Sequence, residues 1–287
     1  MIQKVTDIMD KNFMKVSILD GVRHIQDIFY KNSIEYFAVY EFEKLVGIVT
    51  KKELVRAHPN RIIADAMSEN FKSINYDTPI WMVKEILDFN DNIDVIFVED
   101  KEVITGFVTR AVLNIELNKH IDLLTGLYKS EYIFYNAYNL INNQKEASII
   151  FIDLDNFGHI DKKYGHIFGD MVLKIVANVL KDNIPEDTYL CRYAGDEFAI
   201  LAPYSAEKCR LFAEKLIDNV KSYEFPNKIP VSASIGITSC KIDNKKTDNI
   251  LNLIKRLINI ASLASTKAKE SVDKSVVIGD FDANAIA

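Results

Sequence analysis

Apolar residues recur at three-to-four-residue spacing in two short windows of the first half: Val22, Ile25, Ile28 and Phe29, then Met82, Val83, Ile86 and Leu87. That spacing predicts two amphipathic helices. A short extended piece precedes each, Lys15 to Ile18 and Lys72 to Asn75. Two closely spaced apolar runs follow each and read as strands: Tyr36 to Tyr40 with Leu45 to Thr50, and Asp94 to Val98 with Val103 to Thr109. A short helix closes each unit, and Pro79 falls in the first turn of the second amphipathic helix, where its missing N–H costs nothing. The first half therefore repeats itself. Thr6-Asp7-Ile8-Met9 is echoed by Ala64-Asp65-Ala66-Met67, and Val46-Gly47-Ile48-Val49-Thr50 by Thr105-Gly106-Phe107-Val108-Thr109.

Beyond the repeat the pattern changes. Thr109 to Leu124 reads as one helix, with Val112, Ile115 and Leu117 as a partial apolar face. A second helix runs from Tyr128 to Ile141, and its Tyr128, Tyr132, Tyr135 and Tyr138 read as a helix face. The densest apolar stretch, Ser148 to Asp153, has the length of a buried strand. A long helix ends near Leu180, and Arg192 to Leu201 reads as strand, tight turn, strand, with Gly195 as the turn residue. These elements predict an α/β (α+β) chain: repeat units at 1–60 and 61–115, a connecting helix at 109–124, and a second domain at 119–287.

Composition narrows the function classes. The net charge of −6 leaves no basic excess to neutralise a nucleic-acid duplex, which is therefore not expected as a partner. Residues 1–118 carry a net charge of −5 and residues 119–287 only −1, so a phosphate-bearing ligand is easier to hold in the second half. No apolar run reaches the roughly 18 residues of a membrane span, and the start of the chain lacks a signal-peptide core. The expectation is a cytoplasmic protein with no membrane association. Cys191, Cys209 and Cys240 show no metal-binding or disulfide spacing and read as buried free thiols.

The candidate chemistry lies in the second half. The run Ile149 to Asp155 ends in carboxylates, which places acids at a sheet edge, and the Arg192 to Leu201 hairpin presents Asp196 and Glu197 at its tip. Mg²⁺ is commonly held by one or two carboxylates plus substrate phosphates. Small residues at Ala194 and Gly195 let a nucleotide approach the backbone. A phosphoryl- or nucleotidyl-transfer site needs this combination of metal clamp, positioning and hydroxyl activation. His159 and His166 flank the region but lack a third ligand, so a metal role is not expected of them.

Two resemblances follow from these motifs. The tandem Asp-x-Met and Gly-h-h-Thr units over residues 1 to about 115 resemble a CBS-domain pair, a Bateman module. That resemblance implies an adenine nucleotide between the units, with Thr50 and Glu53 as the better contacts and Thr109 as a weaker one. The alternative for Thr50 and Thr109 is helix N-capping. Over about residues 119–280 the chain strongly resembles the GGDEF domain of diguanylate cyclases. The likeness rests on Asp122-Leu-Leu-Thr-Gly-Leu127, Asp153-x-Asp-x-Phe157, Gly165-His-x-x-Gly-Asp170, the signature with its upstream Arg192-Tyr193, and Ser234-Ile-Gly236. It implies a nucleotidyl-cyclase-like palm sheet and conversion of two GTP into cyclic di-GMP and pyrophosphate by a homodimer. The implied roles are Mg²⁺ or Mn²⁺ ligation by Asp153, the Leu154 carbonyl and Asp196, and catalysis by Asp196 and Glu197. Phe157, Asp161, Asp170, Ala194, Gly195 and Lys269 would bind the substrate, and amides near Asp155 to Phe157 would cradle its phosphates.

Departures from the family pattern define a second reading. Gly158 stands where a phosphate-binding Lys is usual, Asp161 where Asn is usual, and Asp273 where Arg is usual. An ionised Asp can only accept, whereas Asn also donates to guanine. The alternative is thus a degenerate GGDEF domain that binds a nucleotide or a protein partner without catalysis. The family's product-inhibition site maps to Pro185-Glu186-Asp187-Thr188 and lacks both key residues, so no such site is expected.

Overall fold

The computed structural model describes residues 2–241, 249–271 and 275–280. The Asp273 and Lys274 positions and most of the Lys241–Lys246 stretch lie outside them. The chain divides into two compact units, the first ending at Lys119 and the second beginning at His120.

In the first unit the repeat becomes two sheets of the same design. Strands β1 (Phe13–Ser17), β2 (Tyr36–Glu41) and β3 (Lys44–Thr50) lie in that order, with β1 parallel and β3 antiparallel to β2. Strands β4 (Lys72–Asn75), β5 (Val95–Asp100) and β6 (Val103–Thr109) repeat the order and directions. Helices α1 (Val22–Lys31) and α2 (Lys51–Arg56) accompany the first sheet, α3 (Ile80–Asp88) and α4 (Arg110–Lys119) the second. Met82 of α3 faces outward; Ile80, Trp81, Val83 and Leu87 carry its buried face.

The opening motifs are exchanged between the repeats. Asp10 pairs with Phe107 of β6, and Ser68 pairs with Ile48 of β3. A Cβ at Gly106 would lie 2.7 Å from the Asp10 carbonyl and 3.0 Å from Met9 Sδ. At Gly47 it would lie 2.7 Å from Met67 Sδ. Each Asp-x-Met segment thus packs against the glycine of the other repeat's last strand. At Gly106, where the neighbour is the Asp10 backbone, only a residue without Cβ admits that approach; at Gly47 the nearest atom is the end of the Met67 side chain.

The connecting helix is shorter than the 109–124 expected. Helix α4 stops at Lys119, and Asp122 to Gly126 forms a tight turn. The Asp122 carboxylate accepts from Thr125 N and Oγ1, and Gly126 takes φ +71°. An Asp bonded to the backbone three residues on favours a turn over continued helix.

The second unit is a sheet between two helical layers. Strands β7 (Ala147–Leu154), β8 (Tyr189–Ala194), β9 (Glu197–Ala202), β10 (Ala233–Cys240) and β11 (Val276–Ile278) lie in the order β11-β10-β7-β9-β8. All neighbours are antiparallel except the edge strand β11, which runs parallel to β10. Ile150, Ile152 and Leu154 of β7 enter one core with α6 (Phe157–Tyr164), α7 (His166–Asn183) and α8 (Ala206–Ser222). Ile149 and Phe151 enter the other, with α5 (Ser130–Asn142) and α9 (Ile250–Glu270). Burial on both faces is why β7 reads as continuous apolar sequence rather than an alternation. Helix α9 lies directly on β10: a Cβ at Gly236 would sit 1.9 Å from the Ala261 carbonyl and 2.3 Å from Ser265 N. Tyr128 stands outside α5, stacked 4.3 Å from Tyr132, so the tyrosine series is not one helix face.

Candidate active site

Two adjacent strand ends build the site. Strand β7 ends on Asp153 and Leu154, and Asp153 is in register with Glu197, the first residue of β9. Between β8 and β9 lies a two-residue turn, Gly195-Asp196, in which Gly195 takes φ +50° as a hairpin turn requires. Leu154 N lies 3.4 Å from the Asp196 carbonyl, which joins the turn to the end of β7. Ala194 and Gly195 are exposed beside it.

Lys269 reaches this corner from the last turn of α9, 116 residues from Asp153 in sequence. Its Nζ donates to Asp153 Oδ1 at 2.6 Å and to the Leu154 carbonyl at 3.2 Å. Burial and then the neighbouring Asp153 charge push the Asp196 carboxyl above its ordinary value, against the pull of Lys269 and Arg192. Glu197 is raised by burial, Asp153 and Asp196, again opposed by Lys269. Burial leads in both shifts, and the mutual repulsion of the neighbouring acids adds to it.

Among the described residues no group of three or more Asp, Glu, His or Cys side chains forms a metal cage. The donors at this corner are instead two carboxylates and one carbonyl, all hard oxygens. Asp153 and the Leu154 carbonyl already share one cation, the Lys269 ammonium. That set fits Mg²⁺ or Mn²⁺, which would complete its shell with substrate phosphates and water. Glu197 lies beside Asp153 in register, and with it and Asp196 it forms no three-acid cage.

The next segment is fixed from behind. Asp155 accepts from Ser232 Oγ at 2.7 Å and Ser234 Oγ at 2.8 Å, and Asp155 N donates to the Ser232 carbonyl. Asn156 takes φ +53° and turns the chain into α6, a conformation Asn tolerates better than most residues. Phe157 and Asp161 then pack over Gly169 at the corner of α6 and α7: a Cβ there would lie 1.9 Å from Asp161 Oδ1 and 3.3 Å from Phe157 Cζ. Asp161 Oδ2 also lies 3.1 Å from His166 Nδ1. Asp170 follows on the exposed side of α7 and Gly158 is exposed on α6.

Other contacts had no local sequence signal. Arg192 clasps Asp122 and the Gly195 carbonyl. A cleft of about 290 Å³ beside Glu197 is lined by Phe134, Tyr193, Lys255 and Asn259. Lys255 and Asn259 are polar positions on a long helix and nothing in their spacing marks them. All three cysteines are buried free thiols, and burial pushes each above its ordinary value.

In the first unit, Thr50, Glu53 and Thr109 line one cleft of about 710 Å³. Thr50 and Glu53 also form a capping box: Thr50 Oγ1 accepts from Lys52 N, and Thr50 N donates to Glu53 Oε2 at 2.9 Å. Thr109 Oγ1 lies 3.2 Å from Val112 N as acceptor. All three residues therefore cap helices, whatever else they do. Arg110, at the same cleft, is spent on the Leu87, Asn90 and Ile93 carbonyls.

Comparison with known proteins agrees with this geometry. Residues 119–272, just over half the chain, match the family described as "Diguanylate cyclase, GGDEF domain". The chain belongs to that family. Residues 5–60 match the CBS domain, and that match covers the first repeat unit alone. The chain is 25% identical over 244 residues to the probable diguanylate cyclase DgcT of Escherichia coli, covering 73% of this chain and 51% of that one. It is 29% identical over 168 residues to diguanylate cyclase A of Treponema denticola, covering 53% and 45%. It thus spans about half the length of these relatives. The coiled coil and GGDEF domain of Caulobacter crescentus DgcB, solved with c-di-GMP, shares the fold over 59% of this chain and 90% of that one, with a TM-score of 0.50 and 17% identity. Among the described residues no helix is long and apolar enough to cross a membrane.

Proposed function

We propose that the chain is a diguanylate cyclase that joins two GTP into cyclic di-GMP as a homodimer, each subunit presenting one GTP. The observation that carries this reading is the meeting of Asp153, the Leu154 carbonyl, Asp196 and Glu197 at one corner. In the reaction each ribose 3′-oxygen attacks the α-phosphorus of the other GTP. The bond to the β-phosphate breaks, pyrophosphate leaves, and the hydroxyl proton passes to a base. Glu197, raised by burial and its acid neighbours, is suited to take that proton. A Mg²⁺ or Mn²⁺ held by Asp153, Leu154 and Asp196 would neutralise charge on the phosphates. Phe157, Ala194 and Gly195 leave room for the nucleotide, Asp161 and Asp170 face its base, and Lys269 serves its phosphates.

The second repeat shares the sheet order of the first, which supports reading residues 1–115 as a CBS pair. Lys51, Lys52 and Arg56 line the cleft with Thr50, Glu53 and Thr109, which supports an adenine nucleotide there as regulator. Calorimetry of the whole chain with ATP and AMP tests that; no heat with either removes the regulatory role.

The second reading, a non-catalytic nucleotide-binding or interaction domain, is favoured by one observation: Gly158 offers no side chain to a phosphate where Lys is usual in the family, leaving Lys162 and Lys163 of the last turn as the lysines of α6, and Asp161 can only accept from a base. Purified protein given GTP and Mg²⁺, with products resolved by chromatography, decides between them. Cyclic di-GMP that disappears in Asp196→Ala establishes the cyclase. GTP binding without product in any condition establishes the alternative.

A further inference from the structure

Lys269 holds two of the three oxygens assigned above to the metal, and it holds them from a fixed base. Its helix is pressed on β10 at Gly236, where no Cβ would fit. The ammonium therefore leaves Asp153 and the Leu154 carbonyl only by rotation of its own side chain. With four methylenes and three rotatable donors, lysine is built for such a move. A divalent ion taking the same oxygens at about 2.0–2.1 Å competes with the ammonium for them, because two cations held on the same oxygens repel at close range. We propose that Lys269 is the resting occupant of the metal position and that triphosphate binding draws it off, so that metal and nucleotide bind with positive coupling through this one side chain. Phosphate oxygens offer the ammonium a new charge-assisted partner when the metal displaces it. Without nucleotide, the metal must evict Lys269 into water. The inference rests on the metal site proposed above and adds to it a built-in order: metal enters well only with its substrate.

The experiment measures Mn²⁺ binding to the full chain from the loss of the free-ion electron paramagnetic resonance signal, with and without a non-hydrolysable GTP analogue. Wild type is expected to bind Mn²⁺ weakly alone and about tenfold more tightly with the analogue, against an analogue-only baseline. Lys269→Met is expected to tighten nucleotide-free Mn²⁺ binding about fivefold, equivalent to about 1 kcal/mol, and to shrink the enhancement by the analogue. Lys267→Met removes the same charge from the same helix turn and is expected to shift binding less than about twofold. Lys269→Gln repeats the test should the Met variant fold poorly. Unchanged or weaker Mn²⁺ binding in the Lys269 variants, equal tightening in Lys267→Met, or no Mn²⁺ bound by any variant overturns the proposal. Product formation from GTP is scored separately. Cyclase activity without a Lys269 effect on Mn²⁺ binding sinks the coupling and leaves the enzyme, whereas a Lys269 effect without product does the reverse.

Discussion

Arg192 Nη1 lies 3.1 and 3.0 Å from the two carboxylate oxygens of Asp122, while Arg192 Nε donates at 2.8 Å to the carbonyl of Gly195. One guanidinium thus ties the signature turn to the first turn of its own unit. Both partners are mostly buried, with side-chain exposures of 14% and 20%. The rigid fork of Arg serves both contacts at once, which a point charge does not.

Truncation of that Arg leaves the Asp122 carboxylate with Thr125 alone and frees the Gly195 carbonyl. Arg192→Ala is expected to cost about 2–3 kcal/mol of stability, read as a lower urea midpoint. Arg192→Lys is expected to recover less than half of the loss. Full recovery by Lys would show that charge alone matters here and not the fork.

Asp122 itself predicts an acid-side dependence. Burial raises its carboxyl, but the Thr125 hydrogen bonds and Arg192 outweigh it and hold the group below its ordinary value of 3.8. A carboxyl lowered by folding stabilises the protein fully above its unfolded value and loses that contribution as pH falls through the folded value. Asp122→Asn is therefore expected to be less stable than wild type at pH 5–7, with the gap narrowing below about pH 3.8. Melts across that range check it.

Much of this architecture is legible in the sequence, and the exceptions share a physical cause. Strand β7 announces itself because it is buried on both faces. The signature hairpin announces itself because its turn needs a glycine at positive φ. Sequence periodicity extends the connecting helix to Leu124, since Val112, Ile115 and Leu117 fit a helical face, whereas the chain turns at Asp122, whose carboxylate accepts from Thr125 N and Oγ1. The exchange of Met9 and Met67 between the repeats is hidden because each methionine meets a glycine of the other sheet. Lys269 is visible as a family position, yet its grip on Asp153 joins residues 116 apart, which no local pattern encodes.

Asp196 predicts a trade between stability and function. Its carboxyl is raised by burial and by Asp153, so the charged form is disfavoured in the folded protein. A carboxyl raised by folding favours the folded state below its unfolded value, and that contribution is lost as pH rises through the folded value. In chelator-treated protein, Asp196→Asn is expected to melt higher than wild type at pH 7, at about 2–4 °C per kcal/mol relieved, and to lose the advantage below about pH 4. The same variant is expected to make no cyclic di-GMP. A lower melting temperature at pH 7 would show that Asp196 is stabilised by its surroundings.

Gly236 predicts the cost of lifting α9. Any Cβ there meets the backbone of Ala261 and Ser265, and neither can rotate away as a side chain would. Gly236→Ala is expected to cost about 3 kcal/mol, the upper end for overpacking a core, read as a lower denaturant midpoint with unchanged m-value. A near-neutral effect would mean that α9 moves freely on β10, and would weaken the case for a fixed base under Lys269.

The residue that best separates a working cyclase from a degenerate one is Asp161. Its carboxylate sits over Gly169 beside His166, with Phe157 completing the corner, so an isosteric amide fits without rearrangement. The change replaces one acceptor oxygen by a donor NH₂ and removes one negative charge at the position proposed above to face the guanine of GTP. Asp161→Asn is expected to tighten binding of a non-hydrolysable GTP analogue about fivefold, near the ~1 kcal/mol of one neutral hydrogen bond. Calorimetry with the corresponding ATP analogue supplies the contrast: guanine selectivity should rise with affinity, because the gain comes from the base edge. An equal gain for both nucleotides would assign the effect to charge alone, and no gain for either would remove Asp161 from the base contact.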